Sequence, residues 1–369
     1  MRQAAQTGAS ARNPDPWLLG SVFVLMGLGL IMVFSSSAVY AERDFGSEYY
    51  FFRSQLLYAL MGAGMIYLCW RVPINLIFRL VYLWLLLAFV LLLLTLTPLG
   101  TGTNGVTRWL SLGPLTLQPL ELAKIALVLY LAYFFSQKQD KVKTFSVGFL
   151  PPILVTLAFA GILLMQPDFG GAVFITALFF LMSLVGGARL IYIFSSGMLL
   201  SGAGAMMIYH TPYRMERWTA VFKPFENADD IGYQLVQSLY GLGNGHLFGV
   251  GLGEGKQKLF FLPEAHTDFI LAVLGEELGF AGLSLVFLCC AVFLLRSLWI
   301  SLEQRELQRR FVVFGLGLVI LVEAFLNIGV VVGVFPPTGS PMPFISYGGS
   351  SLMAMCISAG LILNLGARR

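Results

Sequence analysis

The chain has 369 residues, of which 57% are hydrophobic before its 40 glycines are counted, against about 45–50% with glycine included in soluble domains. Charged residues make up 11% and the formal net charge is +4, so the composition excludes a soluble globular enzyme, offers no basic surface for nucleic acid and implies an integral membrane protein. Cys69, Cys289, Cys290 and Cys356 all lie inside apolar runs, at spacings that suit neither a disulfide framework nor a metal site, and they read as small packing residues.

Residues 1–16 (MRQAAQTGASARNPDP) are polar and are expected to form a disordered cytoplasmic tail. Runs of about 20 residues, the length that crosses a hydrocarbon core of about 30 Å, follow near 17–39, 52–72, 75–97, 117–136, 146–166, 171–188, 189–209, 268–297, 311–335 and 344–366. The expectation is an all-α integral membrane protein of about ten transmembrane helices, a single polytopic domain over 17–369. The sequence AVYA at 38–41 imitates a signal-peptidase site, but the run before it is long enough to span. Lys and Arg concentrate at 138–143, 305–310 and 368–369, which places both termini in the cytoplasm. Segment 98–116, the QPDFGG turn at 166–171, a large extracytoplasmic loop at 210–267 between helices 7 and 8, and segment 335–351 then fall on the outer face. Neither a tandem repeat nor an inverted half-repeat of the transporter kind is visible.

Polar residues of the outer segments carry the functional signal. Arg108 beside Trp109 suits an interfacial anchor or part of a polar site. Glu121 and Lys124, three apart, share one helix face, and such a pair inside a span suits a cavity wall. Asp168 precedes a span and suits a helix cap, with a direct chemical role as the alternative. In loop 210–267 Arg214, Arg217, Lys256 and Lys258 are balanced by acids, and DIGYQLVQSLYGLG has the spacing of an amphipathic helix on the outer leaflet. The glycines of GLGNGHLFGVGLGEG follow no strand, which argues against a nucleotide fingerprint. They suit a hinge, or backbone N–H groups that meet an anionic head group with Lys256 and Lys258. Asp268, next to His266 and Thr267, opens the eighth span either as a helix cap or as a general base at the water–membrane boundary. Glu276 and Glu277 lie about 12–14 Å further along that helix, flanking Gly275 and Gly279, and suit hydrogen bonds to neighbouring helices. Glu323 and Asn327 are expected to pair with each other. PPTGSPMPFISYGGSS, with Ser346, Tyr347, Ser350 and Ser351, forbids regular helix and is expected to form a cavity wall opposite Asp268.

GVGLGEGKQKLFFLPEAHTDFILAVLGEELG and PPTGSPMPFISYGGSS resemble the signatures of the SEDS family of shape, elongation, division and sporulation proteins. DPWLL, MVFSSSA, TRWL, QPLE with Lys124, QPDFG and GYQLVQS extend the similarity over essentially the whole chain. The PEAHTDF form, with QK before it, is closer to the FtsW-like division branch than to the RodA-like elongation branch. The resemblance implies a peptidoglycan glycosyltransferase that polymerises lipid II on the outer face of the cytoplasmic (inner) membrane at the division septum. It implies a class B penicillin-binding protein transpeptidase and other division-complex membrane proteins as partners, and no nucleic acid. Asp268 matches the family's essential aspartate, which helps deprotonate the acceptor sugar. A divalent cation, Mg or Mn, is implied with its ligands unassigned, and Arg108, Lys124, Arg214, Arg217 and Lys258 are candidate basic helpers. A lipid II flippase and a non-catalytic division scaffold are the rival readings. The chain departs from the family pattern at Thr107, where a second arginine is expected, at Leu120 for serine, at Gly171 for threonine and at Glu323 for glutamine.

Overall fold

Inside a bilayer every backbone N–H and C=O must find a partner within the protein, and the long apolar runs accordingly close into helices. The structure, a computed structural model, describes residues 13–102, 106–113, 115–228 and 230–367. Most of the expected tail, with Arg2 and Arg12, and the terminal Arg368 and Arg369 lie outside the described residues. In chain order come α1 (Pro16–Phe45), α2 (Tyr50–Arg71), α3 (Ile74–Arg79), α4 (Val81–Leu94), strands β1 (Gly100–Thr101), β2 (Trp109–Leu112) and β3 (Leu115–Leu117), then α5 (Pro119–Gln137), α6 (Leu150–Met165) with a wide π turn before it, and α7 (Phe169–Gly186). After these follow α8 (Leu190–Tyr209), α9 (Pro212–Phe222), α10 (Tyr233–Asn244), α11 (Ile270–Glu303), α12 (Leu307–Val331) and α13 (Gly349–Gly366).

The chain is a multi-pass helical membrane protein, and among the described residues 8 helices are long and apolar enough to cross a membrane. The other two expected spans differ. The 22-residue α2 is long enough but carries Arg53, Ser54 and Gln55 in its first turns, and the third run breaks at Leu80 (φ −100°, ψ 18°) into α3 and α4. The mock cleavage site lies within α1, whose Ala41 is buried.

The ends of the described chain meet at one end of the bundle. There Arg296 of α11 pairs with Asp15, the N-cap of α1. Gln304 Nε2 donates to Leu365 O at 3.1 Å, and Asn364 Nδ2 donates to Val72 O at 2.7 Å.

α11 is interrupted rather than continuous. Gly279 adopts φ 66°, ψ −164°, and the glycine-rich loop fills the gap with backbone. Val250 N and Gly251 N donate to the carbonyls of Glu276 and Glu277 at 2.9 and 3.1 Å, while Phe280 N and Ala281 N donate to those of His246 and Leu247 at 2.9 and 3.0 Å. The carboxylates finish the pairing: Glu276 accepts from Lys256 N and Gln257 N, at 3.1 and 3.0 Å, and Glu277 from Gly253 N at 3.2 Å. One glycine N–H, that of Gly253, therefore does meet an anion, but the anion belongs to the protein. Gly249 (φ 80°) has no room for a side chain, because a Cβ there would lie 2.1 Å from Glu277 O.

Two further features position the outer end. The sheet β1–β2–β3 is antiparallel, with Thr101 opposite Trp109 and Leu110 opposite Leu117; strands of two to four residues, with no long alternation, left no sequence signal. α10 is amphipathic as expected, but its buried face, Leu235, Val236 and Ser238, is turned to protein rather than lipid, and Ser238 Oγ donates to Val331 O at 2.8 Å.

Replacing Gly249 by Ala combines a left-handed backbone with a clash against main chain. A loss of more than about 2 kcal/mol is expected, read as a lowered thermal unfolding midpoint in detergent, whereas Gly243→Ala, with open space around it, should leave the midpoint within error.

Candidate active site

Opposite the Asp15–Arg296 end lies a cavity lined by Arg108, Gln118, Glu121, Lys124, Asp168, Glu323 and the stretch from Thr338 to Pro341. The small sheet delivers Arg108, which immediately precedes β2. Asp168 caps α7 as expected, accepting from Gly171 N at 3.0 Å. It also lies 3.4 Å from Arg108 Nη2, which donates to Pro167 O at 3.2 Å. From α9, Arg217 Nη1 donates to Pro337 O at 2.9 Å, and the Arg214 guanidinium stands 5.1 Å above the Phe169 ring. Three arginines thus rim the mouth.

Asp268 stands at the edge of the cavity beyond Gly339. A Cβ on Gly339 (φ 75°) would lie 3.6 Å from Arg108 Nη1 and 3.9 Å from Asp268 Oδ2, so a missing side chain keeps the space between guanidinium and carboxylate clear. Asp268 is not a helix cap. α11 starts after Phe269 with no side-chain cap, which leaves the carboxylate for another use. Three consecutive carbonyls fix the turn that carries it. His266 O accepts from Tyr347 N at 2.9 Å, Thr267 O from Ser346 Oγ at 2.6 Å, and Asp268 O from Asn327 Nδ2 at 2.8 Å. The same Asn327 amide donates to Ser340 O at 2.8 Å, binding the wall to the turn. Lost hydration raises the Asp268 carboxyl to about 6, Glu264 adds repulsion, and Arg108 and Arg217 pull the other way.

The floor is ionic. Lys124 Nζ donates to Glu121 Oε1 at 2.8 Å, as the spacing predicts, and also to Glu323 Oε1 of α12. Glu323 and Asn327 therefore have separate partners, Lys124 for one and the Asp268 turn for the other, rather than each other.

Several expected ligand contacts serve the scaffold instead. Lys258 is buried, 2.7 Å from Glu277 Oε1 and 3.0 Å from Ser35 Oγ, because Glu277 would otherwise be an unpaired charge inside the bundle. Lys256 is exposed, and its N–H goes to Glu276. Ser346 Oγ is spent on Thr267 O and Met342 N, and Ser350 Oγ on Thr116 O and Gln118 N. Tyr347 packs edge-on against Phe51, and His266 lies among Tyr40, Phe51 and Tyr347, where burial lowers its pKa against the pull of Glu264. The sequence marked the segment 336–351 as a cavity wall but singled out Ser346, Tyr347, Ser350 and Ser351 within it, whereas Thr338, Gly339 and Ser340, which carry no titratable group, line the cavity. Two departures from the family pattern touch each other: a Cβ on Gly171 would lie 2.8 Å from Leu120 Cδ2, so the bulk gained at 120 occupies space given up at 171.

Residues 16–369 match the FtsW, RodA and SpoVE family, described as cell cycle protein. The probable peptidoglycan glycosyltransferase FtsW of Trichlorobacter lovleyi is 40% identical over 354 residues, 96% of this chain and 93% of that protein. That of Nitrosococcus halophilus is 42% identical over 369 residues, covering 99% and 94%. A solved structure described as the structural coordination of polymerization and crosslinking by a peptidoglycan synthase complex aligns with a TM-score of 0.77 at 28% identity, covering 96% of this chain and 97% of that one.

Asn327→Asp puts a carboxylate against two carbonyl oxygens and removes both donors, at about 1–3 kcal/mol for each acceptor left unpaired. Hydrogen–deuterium exchange should rise together at 264–272 and 338–346, with no change at the Asp15–Arg296 end.

Proposed function

The chain belongs to the FtsW, RodA and SpoVE family of cell cycle proteins, and on that premise we propose that it is a peptidoglycan glycosyltransferase that polymerises lipid II with Asp268 as its base. The observation that carries this reading is a carboxylate free of helix-capping duty, facing an arginine across the gap at Gly339. The acceptor sugar hydroxyl enters that gap. Asp268 takes its proton as the oxygen attacks the anomeric carbon of the donor, and the bond from that carbon to the lipid pyrophosphate breaks with inversion. Arg108, Arg214 and Arg217 at the mouth stabilise the charge that grows on the leaving pyrophosphate. Asn327, Ser346 and the Tyr347 N–H hold the base still, so that binding energy is not spent on ordering the turn.

The chain's own donors also suit a divalent cation of the Mg or Mn class. Among the described residues no three His, Cys, Asp or Glu side chains gather as a cage, but Glu121 and Glu323 each keep a buried oxygen without a partner on the cavity floor. Glu121 and Glu323 would hold the cation, which would supply positive charge toward a pyrophosphate leaving group.

The active end faces outward and both termini face the cytoplasm, a reading supported by the charge bias of the connections and by the meeting of Asp15, Gln304 and Leu365 at the opposite end. The enzyme works at the septum with a class B penicillin-binding protein, whose transpeptidase crosslinks the strands; other division-complex membrane proteins complete the assembly. The likeness to a synthase that joins polymerization to crosslinking supports the pairing.

With purified protein, its partner and lipid II in liposomes, Asp268→Asn should lower glycan synthesis about 10²–10⁴-fold. Polymer made at the normal rate by that variant, or lipid movement across vesicles with no polymer from the wild type, would overturn the assignment. The working form is the carboxylate, so kcat/KM should fall about tenfold per pH unit below about 6. Arg217→Gln removes a charge that favours ionisation and should move this acid limb to higher pH; Glu264→Gln should move it lower.

A further inference from the structure

We propose that the cavity floor is a divalent-cation site whose protein ligands are the second carboxylate oxygens of Glu121 and Glu323. The assigned role toward pyrophosphate rests on the glycosyltransferase reading; the site rests on geometry and charge. Glu121, Lys124 and Glu323 are 3%, 4% and 1% exposed. One ammonium serves two carboxylates, through Glu121 Oε1 and Glu323 Oε1. Glu121 Oε2 and Glu323 Oε2 are buried and have no hydrogen-bond partner, although both residues line the cavity. A buried carboxylate oxygen is rarely left without a partner.

The donor set selects the cation. Two hard carboxylate oxygens, with water and an anionic substrate group completing the shell, match the way Mg²⁺ is usually held, by one or two carboxylates plus phosphate rather than by an all-protein cage. The other acids near the mouth are committed elsewhere: Asp168 to Gly171 N and Arg108, and Asp268 to the far side of Gly339. A bound dication adds positive charge to the floor. It then attracts phosphate oxygens from below as the arginines do from the rim, and Lys124 keeps the two carboxylates side by side when the cation is absent.

The test is Mn²⁺ titration of the purified, detergent-solubilised full chain, followed by electron paramagnetic resonance, with no lipid substrate present. The wild type should bind one Mn²⁺. Glu121→Gln should weaken binding more than tenfold. Glu323→Gln, which keeps an oxygen for Lys124, should weaken it by a smaller factor, and the double variant should abolish it. Asp268→Asn should bind Mn²⁺ as the wild type does, and inorganic pyrophosphate should add a ³¹P coupling to the bound Mn²⁺ signal in the wild type alone. Thermal unfolding of each variant without cation separates lost binding from lost folding, because a variant that melts as the wild type does and binds no Mn²⁺ has lost ligands only. Equal affinity in wild type and double variant, no binding in the wild type, or loss of binding in Asp268→Asn would each sink the site. Glycan synthesis by a wild type that binds no Mn²⁺ would sink it while leaving the glycosyltransferase reading intact.

Discussion

The structure depends on one constraint: backbone that leaves the helix inside an apolar bundle must be paired by the protein itself. The chain meets it with acids. Glu276 and Glu277 are 1% and 0% exposed, a costly position for carboxylates, yet between them they accept three loop N–H groups, the Ser35 hydroxyl and the Lys258 ammonium. Their pairing allows α11 to break at Gly279 and lets residues 245–255 enter the bundle. The segment of α11 before the break, anchored this way, holds Asp268 just ahead of its first turn on a fixed base.

The same constraint shapes the site. The segment after α12 runs irregularly to Gly348, and its Phe344–Ile345 backbone lies against Gly29 of α1, where a Cβ would come within 2.8 Å. Asn327, Ser346 and Gln55 pair the carbonyls that this path and the Asp268 turn would leave open. A wall made this way is rigid without being helical. It can therefore bring Gly339, with no side chain, between an arginine and an acid.

Much of this was legible in the sequence, and the boundary between what was and was not is physical. Long apolar runs marked the helices because hydropathy integrates over about 20 residues. Glu121 and Lys124 were legible as a pair because helical spacing is local. Pairings between distant elements were not: Lys124 with Glu323, Lys258 with Glu277, and Asn327 with the Asp268 carbonyl join residues 199, 19 and 59 positions apart. Lys258 was read as a ligand contact because a lysine beside a glycine loop looks the same whether the anion it meets is a substrate or Glu277. Asp268 was legible as a base or a cap, and the start of α11 after Phe269 with no side-chain cap removes the second reading.

The contact between Leu120 and the bare Gly171 bears on how this protein can exchange parts with its relatives. A Cβ at 171 would press on both the Leu120 side chain and the Asp168 carboxylate, 2.8 and 2.7 Å away. A chimera that takes α5 from this chain and α7 from a relative with threonine would set two bulky side chains against each other next to Asp168; the reverse chimera would leave a hole there. The two helices form one inheritable unit, and recombination that cuts between them disturbs the mouth of the cavity without changing any charged residue.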